Sequence, residues 1–145
     1  MGDRLGVPIA FRADHLTRPM AHRPSPIALW GPVLVYMAVI FSLSSISRPP
    51  AMPGGSDKVL HALSYGLLGC LFARALTRGR DPVTLRIAAL TVCFGAVYGA
   101  SDELHQCFNP PRAVEAADVL ADTIGAGLGA GVLYAWGIIR GRNGL

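Results

Sequence analysis

Residues 119–139 read VLADTIGAGLGAGVLYAWGII: twenty-one positions, of which one is charged and five are glycine. A run of this length and polarity matches the hydrocarbon core of a bilayer, which about 17 to 25 helical residues cross. Its glycines recur at helical spacing, and in lipid small residues so placed let helix backbones approach closely. Three further stretches have the same character: Ile27 to Ser45, Val59 to Leu76, and Ile87 to Gln106. Between them lie RPPAMPGGSDK (48–58), TRGRDP (77–82) and NPPR (109–112), whose proline and glycine content suits loops and helix ends. The fold class that follows is all-α: a polytopic membrane protein built as a bundle of four transmembrane helices. Composition agrees, since 52% of the 145 residues are hydrophobic and 15% are charged, against roughly 25% charged in a soluble domain. The sequence divides into a tail, 1–26, and one transmembrane domain, 27–145, with no internal repeat.

The formal net charge of +4 invites a nucleic-acid reading, but the placement of the basic residues excludes it. Arg4, Arg12, Arg18 and Arg23 precede span one. Arg74, Arg78, Arg80 and Arg86 bracket the second loop, and Arg140 and Arg142 follow span four. Ten of the thirteen Lys and Arg residues therefore fall on one side, which the positive-inside rule makes cytoplasmic. Both termini are expected inside and the first and third loops outside, with the chain a multi-pass membrane protein. The Arg- and Pro-rich tail would lie in the cytoplasm against anionic lipid. A cleaved signal peptide is the competing reading of residues 1–45, but span one exceeds the usual ~7 to 15 residue hydrophobic region and no clear A-x-A site follows. Cys70, Cys93 and Cys107 form an odd set that implies no disulfide framework.

Polar residues sit at one end of three spans. In span three, Gly95, Gly99, Asp102 and Gln106 share a helical stripe; in span four, Asp118, Asp122, Gly125 and Gly129 do so; in span two, Asp57, His61 and Tyr65 do so, with Lys58 alongside. Spans three and four are antiparallel in this topology, so glycine-to-glycine packing between them is expected to bring Asp102 near Asp122. An ionisable group facing lipid is unfavourable by about 2.5 to 3.5 kcal/mol at the bilayer centre, and such groups normally turn inward. The three spans are thus expected to direct these side chains into one outward-facing pocket.

Each residue has a plainer reading beside this one. Asp118 and Asp57 suit N-caps of spans four and two. His61 suits a hydrogen-bonded packing residue, Tyr65 an anchor in the interfacial aromatic belt, and His105 an interfacial position. Asp102 and Glu103 resist such explanations, because negative charge is unfavourable at a helix C-terminus.

DKVLHALSYGLLG (57–69), GASDELHQCFNPPR (99–112) and DVLADTIGAGLGA (118–130) together resemble the VanZ-like family of small bacterial membrane proteins. The family pattern runs DK-x-x-H-x-x-x-Y, then G-x-x-DE-x-x-Q-x-F-x-P-x-R, then D-x-x-x-N-x-x-G. Asp57, Lys58, His61, Tyr65, Asp102, Glu103, Gln106, Arg112, Asp118 and Gly125 occupy its positions. Two residues depart from it: Asp122 stands for the usual asparagine, and Pro111 for the glycine common before the arginine. The resemblance covers about half the chain and three of its four spans. It implies a role at the cell envelope, since the family takes its name from a member associated with resistance to the glycopeptide antibiotic teicoplanin.

Three functional classes stay open on these residues, the third a purely structural membrane partner whose polar groups only stabilise the helix bundle, which explains Asp118 and Asp57 but not the concentration of ionisable groups. In the first, an enzyme acts on membrane lipids or lipid-linked envelope precursors. His61, Asp102 and Glu103 supply general acid and base. Lys58 and Arg112 hold a phosphate or carboxylate, for which the arginine fork is suited, and Tyr65, Gln106, Asp57, Asp118 and Asp122 complete the substrate site. In the second, the same pocket only binds a head group or peptidoglycan precursor, or conducts protons or small solutes. No H-E-x-x-H or comparable spacing appears, so no metal and no other cofactor is assigned; a divalent metal would draw on Asp102, Glu103, Asp118, Asp122 and His61. Nothing in the sequence sets an oligomeric state.

Overall fold

The computed structural model describes residues 24–46, 56–108, 110 and 114–142. Within them the chain forms α1 (Pro26–Ser44), α2 (Ser56–Leu76), α3 (Leu85–Gln106) and α4 (Ala116–Arg142), with no strand among the described residues. All four helices are long and apolar enough to cross a membrane. Most of the 1–26 tail, together with Arg112 and Pro111, lies outside the described residues.

Local chemistry sets the helix ends. Ser25 caps α1 by accepting the Ala28 amide at 3.2 Å, with Pro26 at the first helical position, where its missing N–H is no loss. Pro32 within α1 cannot donate to the Ala28 carbonyl one turn back. The Arg74 guanidinium of α2 donates to that carbonyl instead, at 3.4 Å. Thr84 caps α3 by accepting the Ile87 amide at 3.3 Å. α2 ends in a Schellman turn: the Gly79 amide donates to the Arg74 carbonyl at 2.8 Å and the Arg78 amide to Ala75 at 3.1 Å, with Arg78 itself in the left-handed region at φ 53°.

α2 and α4 begin three residues before the limits read from hydropathy, and α4 runs three residues further. The difference is physical. Acidic side chains are favourable in a first helical turn, so Asp57 and Asp118 do not stop the helices but lie inside them. Neither is an N-cap.

α4 packs chiefly on α2 and then on α3, while α1 lies across α2 and α3. The expected glycine-to-glycine contact between spans three and four is not the one formed. A Cβ added to Gly125 would meet the backbone carbonyl of Ala62, and one added to Gly129 would meet that of Gly66, so the α4 glycines face α2, in parallel register. The α3 glycines face other α4 residues: Gly95 lies on Ala126, and Gly99 on Asp122. The larger side chains fill the space between α1, α2 and α3, where Leu29, Val33, Ile40, Tyr65 and Leu68 are buried and Phe72 stacks on Phe94 with ring centroids 4.0 Å apart. Outside, Leu34, Leu63, Val97, Leu128 and Val132 are exposed, as a lipid-facing surface requires.

Candidate functional site

The N-terminal turns of α2 and α4 and the C-terminal turns of α1 and α3 meet at one end of the bundle. Small residues make this junction. Because Ala62, Gly66, Gly125 and Gly129 let α2 and α4 approach at backbone distance, His61, one position before Ala62, is pressed against α4. On the α3 side, a Cβ on Gly99 would sit 2.7 Å from Oδ2 and 2.9 Å from Cβ of Asp122. Only a bare Cα leaves room for that carboxylate.

The polar groups fall into three connected sets. Outermost, Lys58 Nζ is surrounded by Asp57 Oδ2 at 2.9 Å, Glu115 Oε2 at 2.6 Å and Asp118 Oδ1 at 2.6 Å. One turn deeper, His61 Nδ1 lies 3.0 Å from Asp122 Oδ1, and Nε2 lies 3.9 Å from Asp118 Oδ2. An ionised Asp122 can only accept, so Nδ1 carries the hydrogen and Nε2 is the ring atom turned toward Asp118. Asp122 is wholly inaccessible to solvent. On the α1 side, Ser44 Oγ donates to Asp102 Oδ1 at 2.6 Å and Gln106 Nε2 donates to Asp102 Oδ2 at 3.3 Å.

Glu103 resolves the difficulty of a carboxylate at a helix C-terminus. Its Oε2 accepts the backbone N–H of Glu115, the residue just before α4, at 2.9 Å. Its charge therefore faces the positive end of the α4 dipole rather than answering to its own helix. Tyr65, one turn below His61, is 1% exposed. That burial overturns the aromatic-belt reading, because a belt residue must reach the interface. Its hydroxyl has no hydrogen-bond partner among the described residues.

Of the sequence-derived candidates, His61, Tyr65, Asp102, Glu103, Gln106, Asp118 and Asp122 are all in the interior or half-buried at this end. Asp57 and Lys58 stand at its rim. Arg112 lies outside the described residues. His105 is half-buried, stacked on Phe41 with centroids 4.3 Å apart, and lies 3.1 Å from Ser45 Oγ. Two contributors escaped sequence reasoning. Ser44 belongs to the FSLSSIS run (41–47), whose serines at the same end of span one were the available signal; Glu115 had none beyond its closeness to Asp118.

Ser44 makes its own test. Ser44→Ala removes a donor from a carboxylate that is 3% exposed, and a buried acceptor left short of a partner costs about 1 to 3 kcal/mol. Thermal or denaturant unfolding in detergent should show that loss. Ser42→Ala should not, because the Ser42 hydroxyl is exposed and bonds only its own helix at Ala38.

Donor atoms suited to a metal converge in two places: His61 with Glu103 and Asp118, and Asp57 with Glu115 and Asp118, each set within 4.8 Å of one another. Asp102 and Asp122, the other donors considered from sequence, are turned to Ser44 and Gln106 and to His61. Clefts open at the opposite end of the bundle: one of about 630 Å³ beside Trp30, Leu76 and Arg80, another of about 480 Å³ beside Arg74, Trp136 and Arg140. The polar cluster itself is packed side chain on side chain.

No curated protein and no solved structure is similar to this chain. A family model described as VanZ/LLP1 matches residues 33–139, a stretch that takes in the C-terminal part of α1, the whole of α2 and α3, and α4 to its penultimate turn. The histidine, tyrosine and acidic residues of the family pattern meet at one end of the helices, and the match over residues 33–139 shows that this four-span helical membrane protein belongs to the VanZ/LLP1 family.

Proposed function

We propose that this membrane protein processes or modifies the head group of a lipid or lipid-linked cell-envelope precursor at the outer face of a bacterial cytoplasmic membrane. The reading is supported chiefly by the pairing of His61 with Asp122. A carboxylate on Nδ1 fixes the imidazole tautomer and stabilises the imidazolium, leaving Nε2 to take or give a proton. Asp118 lies on the Nε2 side, and a Glu103 oxygen lies within 4.8 Å of an Asp118 oxygen and a His61 ring nitrogen. Asp102, held by Ser44 and Gln106 through both oxygens, positions the end of α3. Lys58 is already neutralised by three carboxylates, so holding the anionic part of a head group falls to Arg112 in this scheme. Ten of thirteen basic residues precede span one, bracket the second loop or follow span four in the sequence, and the positive-inside rule supports an extracytoplasmic position for the site.

The test compares envelope lipids and lipid-linked precursors in a host expressing no protein, the wild type, His61→Ala or Asp102→Asn, the last three at equal membrane levels. Loss of a general acid or base should slow turnover on the order of 10²-fold or more, so His61→Ala should match the deletion. A shift in teicoplanin susceptibility should follow the same order. Identical lipid and precursor profiles in all four strains would sink the enzymatic reading, and retained precursor binding by the purified protein would then make it a binding or transport protein.

A further inference from the structure

We propose that His61 Nε2, Glu103 and Asp118 Oδ2 form a site for one divalent cation of borderline hardness, Zn²⁺ or Mn²⁺, with Asp122 as the residue that orients His61. Asp118 connects two triads of different kind. The outer one, Asp57, Glu115 and Asp118, already has a cation at its centre, because Lys58 Nζ lies 2.6 to 2.9 Å from all three. The inner one is built round an imidazole, which is a ligand rather than a permanent charge. Its three donors come from three different helices and lie within 4.8 Å of one another, with His61 Nε2 and Asp118 Oδ2 at 3.9 Å. Donors in a tetrahedral shell with bonds of about 2.1 Å stand about 3.4 Å apart, so the donor atoms would draw together by about 0.5 to 1.4 Å on binding the ion.

Three further observations point to an ion here. Metal-bound histidines donate their other ring nitrogen to a carboxylate or carbonyl, which fixes the ring and raises its basicity; His61 has this arrangement, with Nδ1 3.0 Å from a carboxylate that is wholly buried. Asp118 divides its oxygens, Oδ1 to Lys58 and Oδ2 toward His61, which leaves one oxygen for a second positive partner. Third, the Tyr65 hydroxyl is buried one turn deeper, close to Asp122, Asp102 and Glu103, with no hydrogen-bond partner among the described residues. One imidazole with two carboxylates suits Zn²⁺ or Mn²⁺ better than Ca²⁺, which takes only oxygens, or Cu⁺, which prefers thiolates. Three protein donors leave positions open, as in catalytic rather than structural sites.

The inference stands apart from head-group processing, since its readout is the resting protein and needs no substrate. The full chain, purified in detergent without a polyhistidine tag and stripped with chelator, is titrated with ZnCl₂ and with MnCl₂ by calorimetry and by equilibrium dialysis with metal analysis. One equivalent should bind. Asp122→Asn should weaken binding by about 10- to 100-fold, as loss of an orienting partner does, and His61→Ala, Glu103→Gln and Asp118→Asn should weaken it further. Glu115→Gln, confined to the outer triad, should bind as the wild type does. Electron spin-echo spectra of the Mn²⁺ form should show coupling to one imidazole nitrogen, a signature that does not depend on any variant folding. Wild-type protein that is helical and monodisperse yet binds no metal would overturn the proposal. So would Mn²⁺ without nitrogen coupling, or metal lost in Glu115→Gln and kept in His61→Ala.

Discussion

Gly129→Val is expected to force α2 away from α4 and to destabilise the protein by about 3 kcal/mol. A Cβ at this position would run into the carbonyl oxygen of Gly66 and stand 3.0 Å from the Cys70 amide nitrogen. Both obstacles are backbone, so no rotamer change relieves them. α2 and α4 can accept the new atoms only by moving apart along their whole contact, which includes Ala62 against Gly125 and Gly69 against Ala126. Overpacking a close-fitted interior costs about 1 to 3 kcal/mol and more where nothing can give, and helix pairing in lipid has no hydrophobic driving force in reserve. The upper end applies here. It corresponds to about a 10²-fold shift toward the unfolded state. Gly131→Val, two residues on, is the control: no atom lies within 4 Å of its added Cβ, and the change should stay within about 0.5 kcal/mol. Size-exclusion profiles and thermal unfolding followed through Trp30 and Trp136 separate the two variants. Equal melting of Gly129→Val and wild type would show that the α2–α4 approach is looser than described.

That contact also shows where sequence reading reached its limit. The four spans were legible because twenty or so apolar residues in water have no stable arrangement, whereas in lipid they have one. Their starts were misplaced at Asp57 and Asp118 because a charge interrupts hydropathy whether or not it interrupts the helix. The small-residue stripes were equally visible, but a stripe names no neighbour. Asp122 with Ala126, and Gly125 with Gly129, form two stripes about 60° apart on one helix. α4 lies between two partners: Gly125 and Gly129 meet α2, while Asp122 and Ala126 meet the α3 glycines and also reach α2 at His61 and Gly69. Only the assembled bundle reveals that division. The convergence of His61 with Asp118 and Asp122 was legible in kind, since three spans carried their ionisable residues at one end. Its hydrogen bonds were not: Asp102 was expected only to lie near Asp122, and its hydrogen-bond partners are Ser44 and Gln106. Nothing in the apolar pattern of span one marked Ser44 for that task.

Lys58→Met is expected to destabilise the protein by about 3 kcal/mol, several times the effect of removing either of its exposed partners. Three carboxylates lie within 2.9 Å of the ammonium, but they differ in what water can do for them. The Asp57 and Glu115 side chains are 48% and 57% exposed, so each pair is worth about 0 to 1 kcal/mol and weakens with salt. The Asp118 side chain is 9% exposed. Removing one member of a buried pair strands the other charge, at about 3 to 5 kcal/mol for full burial, and the partial exposure of Lys58, 31%, reduces that to the lower bound. Asp118 would also be left to face Asp122 across His61 without a compensating charge on its outer side. Glu115→Gln should therefore cost less than about 1 kcal/mol and lose its effect in high salt. Lys58→Met should keep most of its effect there. Adding Asp118→Asn to Lys58→Met should restore stability toward wild type, since an amide in place of the stranded carboxylate carries no charge to desolvate. Denaturant unfolding of the four proteins in one detergent, at low and high salt, reads all of these differences. If Lys58→Met proves no worse than Glu115→Gln, the ammonium is held by its solvent-facing partners alone and Asp118 does not depend on it.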